Sequence, residues 1–346
     1  RQLAFDPSQL LAVHQIPLAH HQQIRQRHLL HRLVLLAELL LDMTGIHYCD
    51  GAIEAVALGD KALFPQREQH GGRIGQTRCL DQHPVVGRRA RPAAGIQVEL
   101  LPTEHPLALA SRERNIGFLS RMTRGLPWVR MKMAASLDGI TALPDGQSQW
   151  ITGEAARADG HAWRARACAV LTGIGTVHED NPMLDVRHVP ATRQPHLVVV
   201  DSRLELPLNA QLLNTQGTGD QTRQIWVYTA VDPANAAQAE KRAALSARGV
   251  TVIDMPGPGG KVDLAAMLRD LARREINELH VEAGHKLNGS FIREGLVDEY
   301  LVYLAPRLLG PGQGMANLPA LTALGDAVQL GFHAVERIGP DVRLLL

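Results

Sequence analysis

The sequence predicts an α/β protein built on a mostly parallel sheet with helices on both faces, and three observations carry that prediction. From Asn115 onward, short apolar runs of strand length alternate with longer segments of helical periodicity, the order that packs helices against a parallel sheet. Glycines, small hydroxyls and carboxylates recur just past those runs, where open α/β sheets bind ligands. At 346 residues and 45% hydrophobic content the chain is long enough to bury a large core and to divide into two domains.

The first strand is VRMKMAAS from Val129, where Val129, Met131, Met133 and Ala135 alternate with Arg130, Lys132 and Ala134 as in a half-buried strand. It stops at the turn signal Asp138-Gly139. Before it, NIGFLSRMTRGLPW reads as a short helix with Gly125 as its stop and Pro127 beyond, a hinge into the domain that follows. After the loop ALPDGQSQW, Thr152 is the expected N-cap of a helix running to Ala167, with Glu154 in its first turn, where the helix dipole favours a carboxylate. A second strand, AVLTG from Ala169, ends in Gly173-Ile174-Gly175, where small residues let backbone amides approach a ligand. Further strands are expected at His196 to Asp201, Gln224 to Thr229, Val250 to Met255, Glu278 to Gly284 and Glu299 to Pro306. Helices fall between several of them, at ANAAQAEKRAALSAR, VDLAAMLRDLARR and KLNGSFIREG, and the final VRLLL reads as an edge or closing strand.

Residues before about Arg112 lack this texture. They hold nine of the sixteen histidines and a basic, proline-bearing loop from Asp81 to Arg91; AAGIQVELL, from Ala93, is a fragment of helix, glycine stop and strand. The most apolar run, Leu29 to Met43, contains Arg32, Glu38 and Asp42, so it reads as an amphipathic helix and no membrane partner is expected. A net charge of +1 offers no field for nucleic acid. Three cysteines without a CxxC pair, and no basic-then-apolar leader, point to a reducing, cytoplasmic setting.

The chemistry-bearing residues collect at strand ends. Ser136, Asp138, Gly173, Gly175, Thr176, Asp180, Ser202 and Glu282 would line one crevice if their strands are neighbours. The Gly-Ile-Gly run alone is a weak signal. The loop EAGHKLNGSF is stronger, because the helix start after Gly284 offers amides from His285 to Gly289 to a pyrophosphate; Gly284 as a plain turn residue is the equal alternative. Arg164 and Arg187 could clamp a phosphate together, although each singly reads as a salt-bridged surface residue. Arg203 and Lys286 could add charge at a cofactor phosphate or stand in solvent. Trp150 is either core packing or a platform for a flat ring, and Asp138 either an acid or a turn residue.

These motifs, in this order, resemble the reductase domain of the bacterial bifunctional riboflavin-biosynthesis deaminase/reductase. The match rests on KMAASLDG, SQWIT, LTGIGTVHEDNPML with Arg187, VVVDS, VEAGHKLNGSF, GLVDEYLVYLAPRLLG and IGPDVRL, and spans about Asn115 to Leu346. The resemblance implies a dihydrofolate-reductase-like fold, NADPH as hydride donor, and reduction of the ribosyl group of 5-amino-6-(5-phosphoribosylamino)uracil to the ribityl product. It places cofactor contacts on Ala134, Trp150, Thr176, Asp180, Ser202 and Gly284, His285, Lys286, Leu287, Asn288, Gly289 and Ser290. Substrate contacts fall on Ser148, Arg164, Leu184, Arg187 and Glu282. Asp180 or Glu282 is expected to help deliver a proton, and a homodimer is implied, with the VDEYLVYLAP strand as a plausible contact.

The amino-terminal third departs from that family. Its deaminase domain should show HxE followed by Pro-Cys and a second cysteine to hold zinc, and neither HxE nor Pro-Cys occurs between Arg1 and Arg112. The expected organisation is therefore a degenerate deaminase-like region at 1–112, a linker helix at 113–127 and a reductase domain at 128–346. A zinc site from His47, Cys49, His70 and Cys79 is the rival, with spacings that follow none of the usual metal patterns. Two other functions compete: a same-fold reductase of another pyrimidine or pterin-like substrate, for which a paired Arg164 and Arg187 has little use, and a non-catalytic assembly partner.

Overall fold

The computed structural model describes residues 102–214 and 223–346. The expectations for residues 1–101, among them the strand ending at 101 and the cluster His47, Cys49, His70 and Cys79, lie outside the described residues. The described chain opens with α1 (Pro106–Arg114) and α2 (Ile116–Arg124). The first has no sequence signal because it buries only Ala108, which leaves no apolar stripe to read.

The main sheet contains β1 (Trp128–Ser136), β3 (Ala169–Gly173), β4 (His196–Val200), β5 (Ile225–Thr229), β6 (Val250–Asp254), β7 (Glu278–Val281), β8 (Glu299–Ala305), β10 (Ala334–Ile338) and β11 (Asp341–Leu345). A small second sheet pairs β2 (Ile140–Ala142) with β9 (Gln313–Gly314). The main order is β10-β11-β8-β1-β7-β3-β4-β5-β6. Every pairing from β8 to β6 is parallel, and β11 runs antiparallel to both β8 and β10. The terminal strand is thus interior, contrary to its expected edge or closing place, because β10 pairs outside it. Both hydrogen-bonding sides of β8 are likewise taken, by β1 and β11, so the VDEYLVYLAP strand has no free edge for a second copy.

The helices are α3 (Glu154–Arg166), α4 (Ile174–Asp180), α5 (Ala239–Ala247), α6 (Leu264–Arg273) and α7 (His285–Arg293). On one face of the sheet, Met267, Leu268 and Leu271 of α6 and Phe291 of α7 pack on Met131, Leu171, Val198 and Val281. On the other, Val177 of α4 and Leu245 of α5 cover Val170, Leu197, Val199 and Val227, while Ala156 of α3 covers Leu301 and Tyr303. The expected N-cap of α3 is corrected: Gly153 holds that place without a capping side chain, and its own amide donates to Asp341 Oδ2 at 2.6 Å, which fixes the helix start from a residue distant in sequence.

Between the two apolar patches of this second face runs a seam of charge. Arg130 and Lys132 belong to it, which corrects their reading as the solvent side of a half-buried strand. Arg130 is 1% exposed. Its guanidinium binds both Glu299 oxygens and one Glu278 oxygen, each at 2.9 Å, lies over the Trp163 ring at 4.4 Å, and shares Glu278 with Arg166. The expected hinge helix α2 is also built in: a Cβ added at Gly117 would fall 2.5 Å from Glu278 Cγ, and Arg124 grips Asp298 at 2.6 and 2.9 Å.

Candidate active site

The carboxyl ends of β1, β7, β3 and β4 are neighbours, so the condition for one crevice is met. Along that edge the expected residues follow in order. Ala134 and Ser136 are on β1, Glu282 and Gly284 follow β7, Gly173 and Thr176 follow β3, and Ser202 follows β4.

Two helix starts meet at its centre. A Cβ added at Gly284 would lie 3.4 Å from Thr176 Oγ1, and one at Gly173 would lie 3.1 Å from Leu287 Cδ2. Neither N-cap glycine carries a capping side chain, so the first amides of α4 and α7 stay available to an anion of pyrophosphate size. The loop Gly284 to Ser290 divides here. Gly284, His285 and Lys286 form the helix start and Lys286 is exposed, whereas Leu287 packs on the β3–α4 turn. Asn288 donates to the Met315 carbonyl at 3.0 Å, a Cβ on Gly289 would lie 2.1 Å from the Asn317 oxygen, and Ser290 donates to the Lys286 carbonyl. The last three are therefore occupied in seating α7.

On the second face the open end of the seam reaches the crevice. Arg164 Nε and Nη2 bind the two oxygens of Glu282 at 2.7 and 2.9 Å, and Lys132 Nζ lies 4.0 Å from Glu282 Oε2. His280, fully buried on β7, puts Nε2 3.4 Å from Glu282 Oε1. Burial works against a charged Glu282, but Arg164, His280 and Lys132 outweigh it and hold the carboxyl well below the usual range. Burial, aided by Arg164, lowers the Lys132 ammonium, and burial lowers His280 against the pull of Glu282.

The segment after α4 closes over α3. Asn181 (φ 41) and Leu184 (φ 51) turn it through the left-handed region, which is costly for leucine. Leu184 is held there by its core side chain and by Arg223, which donates to its carbonyl. The turn brings Asp185 between the two arginines: its carbonyl accepts from Arg164 and its carboxylate from Arg187. His161, one helical turn before Arg164, sits with Nδ1 3.5 Å from Arg164 Nη1, and its ring meets that of His188 edge-on at 4.5 Å. Arg164 and Arg187 thus share a pocket, with different duties. The bidentate side of Arg164 is given to Glu282, while Arg187 has a side chain 45% exposed and, among the described residues, binds Asp185.

The remaining expected residues lie at the margins. Trp150 is 60% exposed with the Arg157 guanidinium 4.6 Å over its ring, which removes the core-packing reading. Ser148 is half-buried in the same loop. Ser202 Oγ accepts the Val262 amide at 3.3 Å. Asp180 is exposed at the far end of α4, its carboxyl raised by partial desolvation and by Glu179. Asp138 proves a turn residue: it accepts from Ser136 and from the amides of Leu309 and Gly310, which lowers its pKa and ties the β1 turn to the segment after β8. Arg203 is exposed and pairs with Glu205. Sequence reasoning missed Lys132 and His280. Their place two residues before Ala134 and before Glu282 was a usable signal, because alternation puts Lys132 with Ala134 and His280 with Glu282 on one face. Among the described residues no group of three His, Cys, Asp or Glu side chains could hold a metal ion, and no helix is long and apolar enough to cross a membrane.

Comparison with known proteins places the chain in a family. The RibD C-terminal domain family matches residues 127–344. Riboflavin biosynthesis protein RibD of Escherichia coli (strain K12) is 36% identical over 274 residues, 77% of this chain and 72% of that protein. Its counterpart from Bacillus amyloliquefaciens is 34% identical over 269 residues, 76% of this chain and 68% of that protein. Among solved structures, Acinetobacter baumannii RibD, form 1, superposes with a TM-score of 0.61 at 33% identity, covering 75% of this chain and 66% of that one. The chain thus spans about two thirds of the length of the solved relative it matches. This chain belongs to the RibD family, and its crevice is built from residues within the part that matches the RibD C-terminal domain.

Proposed function

We propose that the chain is a reductase of riboflavin biosynthesis that uses NADPH to convert 5-amino-6-(5-phosphoribosylamino)uracil to its ribityl product. The family supports the reaction class. The observation that carries the substrate reading is the charge of the pocket. Among the described residues Lys132, Arg164, Arg187 and the buried Arg223 lie about two carboxylates, Glu282 and Asp185, so positive charge is left for an anionic sugar end.

The paired helix starts at Thr176 and Gly284 to Lys286 would hold the cofactor pyrophosphate, with Ser202 beside its far end and Ala134 and Trp150 towards the nicotinamide. Bound there, the reduced nicotinamide supplies hydride for C1′ of the opened ribosyl group. This chain's residues orient the substrate. Arg187 offers free donors to the phosphate, Ser148 lies near the mouth, and Leu184 shapes the turn that carries Arg187. Glu282, locked to Arg164 and ionised, is an anchor and poor as a proton donor. Lys132, with its lowered pKa, is the better source of the proton that the opened sugar needs, ahead of the remote Asp180.

We further read residues 1–112 as a deaminase-like region without the zinc motif, so no deaminase step is assigned to this chain, and we place the protein in the cytoplasm as a homodimer. The experiment is NADPH oxidation followed by absorbance with the phosphoribosylamino substrate, beside its deaminase precursor. Oxidation with the first and no ammonia from the second is expected. Ammonia release would overturn the deaminase reading, and inert NADPH with the first substrate would overturn the reductase reading.

A further inference from the structure

The segment from Asn317 to His333 links α7 to β10 and carries none of the crevice residues. It is pinned at both ends: Arg293 donates to the Asn317 carbonyl at 2.6 Å, and the His333 amide donates to the Leu345 carbonyl at 2.8 Å. Between those pins Leu318, Leu321, Leu324, Val328, Leu330 and Phe332 are all exposed, Leu324 to 91%. Single exposed apolar residues are ordinary, but six within fifteen residues mark a surface that another body covers. The strand that follows continues this surface. Val302 of β8, Leu344 of β11 and Val335 of β10 are cross-strand neighbours on the face that carries α6 and α7. Val302 is 6% exposed and Val335 59%, so the helical cover ends before the sheet does. In the next row exposed Val342 stands between Leu304 and Arg337.

We propose that this surface, the outer end of the sheet face together with the 317–333 segment, is where a second copy of the chain docks face to face about a twofold axis. The proposal rests on the homodimer reading above and gives it a place, which β8 with both edges occupied cannot supply. Area and charge favour a copy of the same chain. The exposed apolar side chains offer on the order of 900 Å², close to the roughly 800 Å² that each partner contributes to a stable interface. The segment and the β10 part of the face hold one carboxylate, Asp326, and one guanidinium, Arg337, so the surface is neutral and suits its own copy better than a strongly charged partner. Pairing edge to edge is disfavoured, since a twofold centred on β10 would set Glu336 against its own counterpart.

Sedimentation velocity of the full chain reads the assembly. The variant is the double substitution Phe332→Asp and Val335→Asp, and the control is Leu208→Asp, at an exposed leucine of the β4–β5 connection. The parent and the control should be dimers, and the double variant should dissociate roughly 100-fold more readily or worse, because two carboxylates would be buried in an apolar contact. Hydrogen exchange gives a second reading. Amides of 318–335 should be protected in the dimer and lose that protection on dilution, while β1 and β7 exchange alike in parent and variant, as both are folded. A dimer that persists in the double variant, or that Leu208→Asp breaks as readily, overturns this surface and leaves the homodimer reading intact. Protection of 318–335 that is equal in monomer and dimer assigns the cover to another part of the chain and overturns the proposal as well. A parent that is monomeric at every concentration overturns both.

Discussion

The two ends of the charged seam are built from the same residue types and do opposite work. At the amino ends of the strands, Arg130 is enclosed by Glu278 and Glu299, with Arg166 outside and Trp163 beneath, and the donors of Arg130 meet carboxylate oxygens at 2.9 Å. At the carboxyl ends, Lys132, Arg164, Glu282 and Asp185 leave Arg187 half-free and His280 without a well-formed hydrogen bond. A balanced cluster has nothing left to offer a ligand and serves the fold. An unbalanced one, two residues further along the same strands, keeps donors open, which is what the proposed substrate reading uses.

The largest effect that would break this contrast concerns the closed end. Arg130→Met leaves the buried Glu299 with no cation bound to it among the described residues and Glu278 with Arg166 alone, and should destabilise the protein by about 3–5 kcal/mol, read from urea midpoints. A change below about 1 kcal/mol would mean that the cluster is not the structural half. At the open end, Glu282→Gln keeps shape while removing the anchor of Arg164. It should lower kcat/KM roughly 100-fold or more while costing only about 1–2 kcal/mol of stability. Equal stability loss from Arg130→Met and Glu282→Gln, with activity spared in the latter, would erase the distinction.

A smaller effect separates the ends by pH. His161 at the open end and His196 at the start of β4 are both held to about 4, by burial first and then by neighbouring arginines. A depressed histidine favours the folded state above its unfolded value near 6.5, and that contribution is lost as pH falls towards 4. Stability should therefore drop between these limits by at most about 1.4 kcal/mol per pH unit for each histidine, and His161→Gln should remove one such share, leaving those of His196 and His280. A slope unchanged in His161→Gln would show that His161 does not carry it.

Much of the fold was legible because its signals are local. The Asp138-Gly139 turn, the Gly125 stop and the strands at 169, 196 and 225 each follow from a few adjacent residues. The crevice was legible too, since strand ends can be read off one by one. The seam was not. Arg130 meets its carboxylates 148 and 169 residues away, and alternation in β1 records only that every second side chain is polar, without saying whether water or a buried partner receives it. The same limit hid that the bidentate side of Arg164 is taken by Glu282, 118 residues on, and that Asp138 ties its turn to the amides of Leu309 and Gly310.

The most direct test of the open end joins Arg187 to the substrate phosphate in a double-mutant cycle. kcat/KM is measured for the phosphorylated and the dephosphorylated ribosylaminouracil, each with the parent protein and with Arg187→Gln. Removing either partner alone should cost roughly 10–100-fold, and removing both should cost little more than one, a coupling of about 1–3 kcal/mol. Fully additive losses would mean that Arg187 and the phosphate never meet, and the account of the pocket would fall with them.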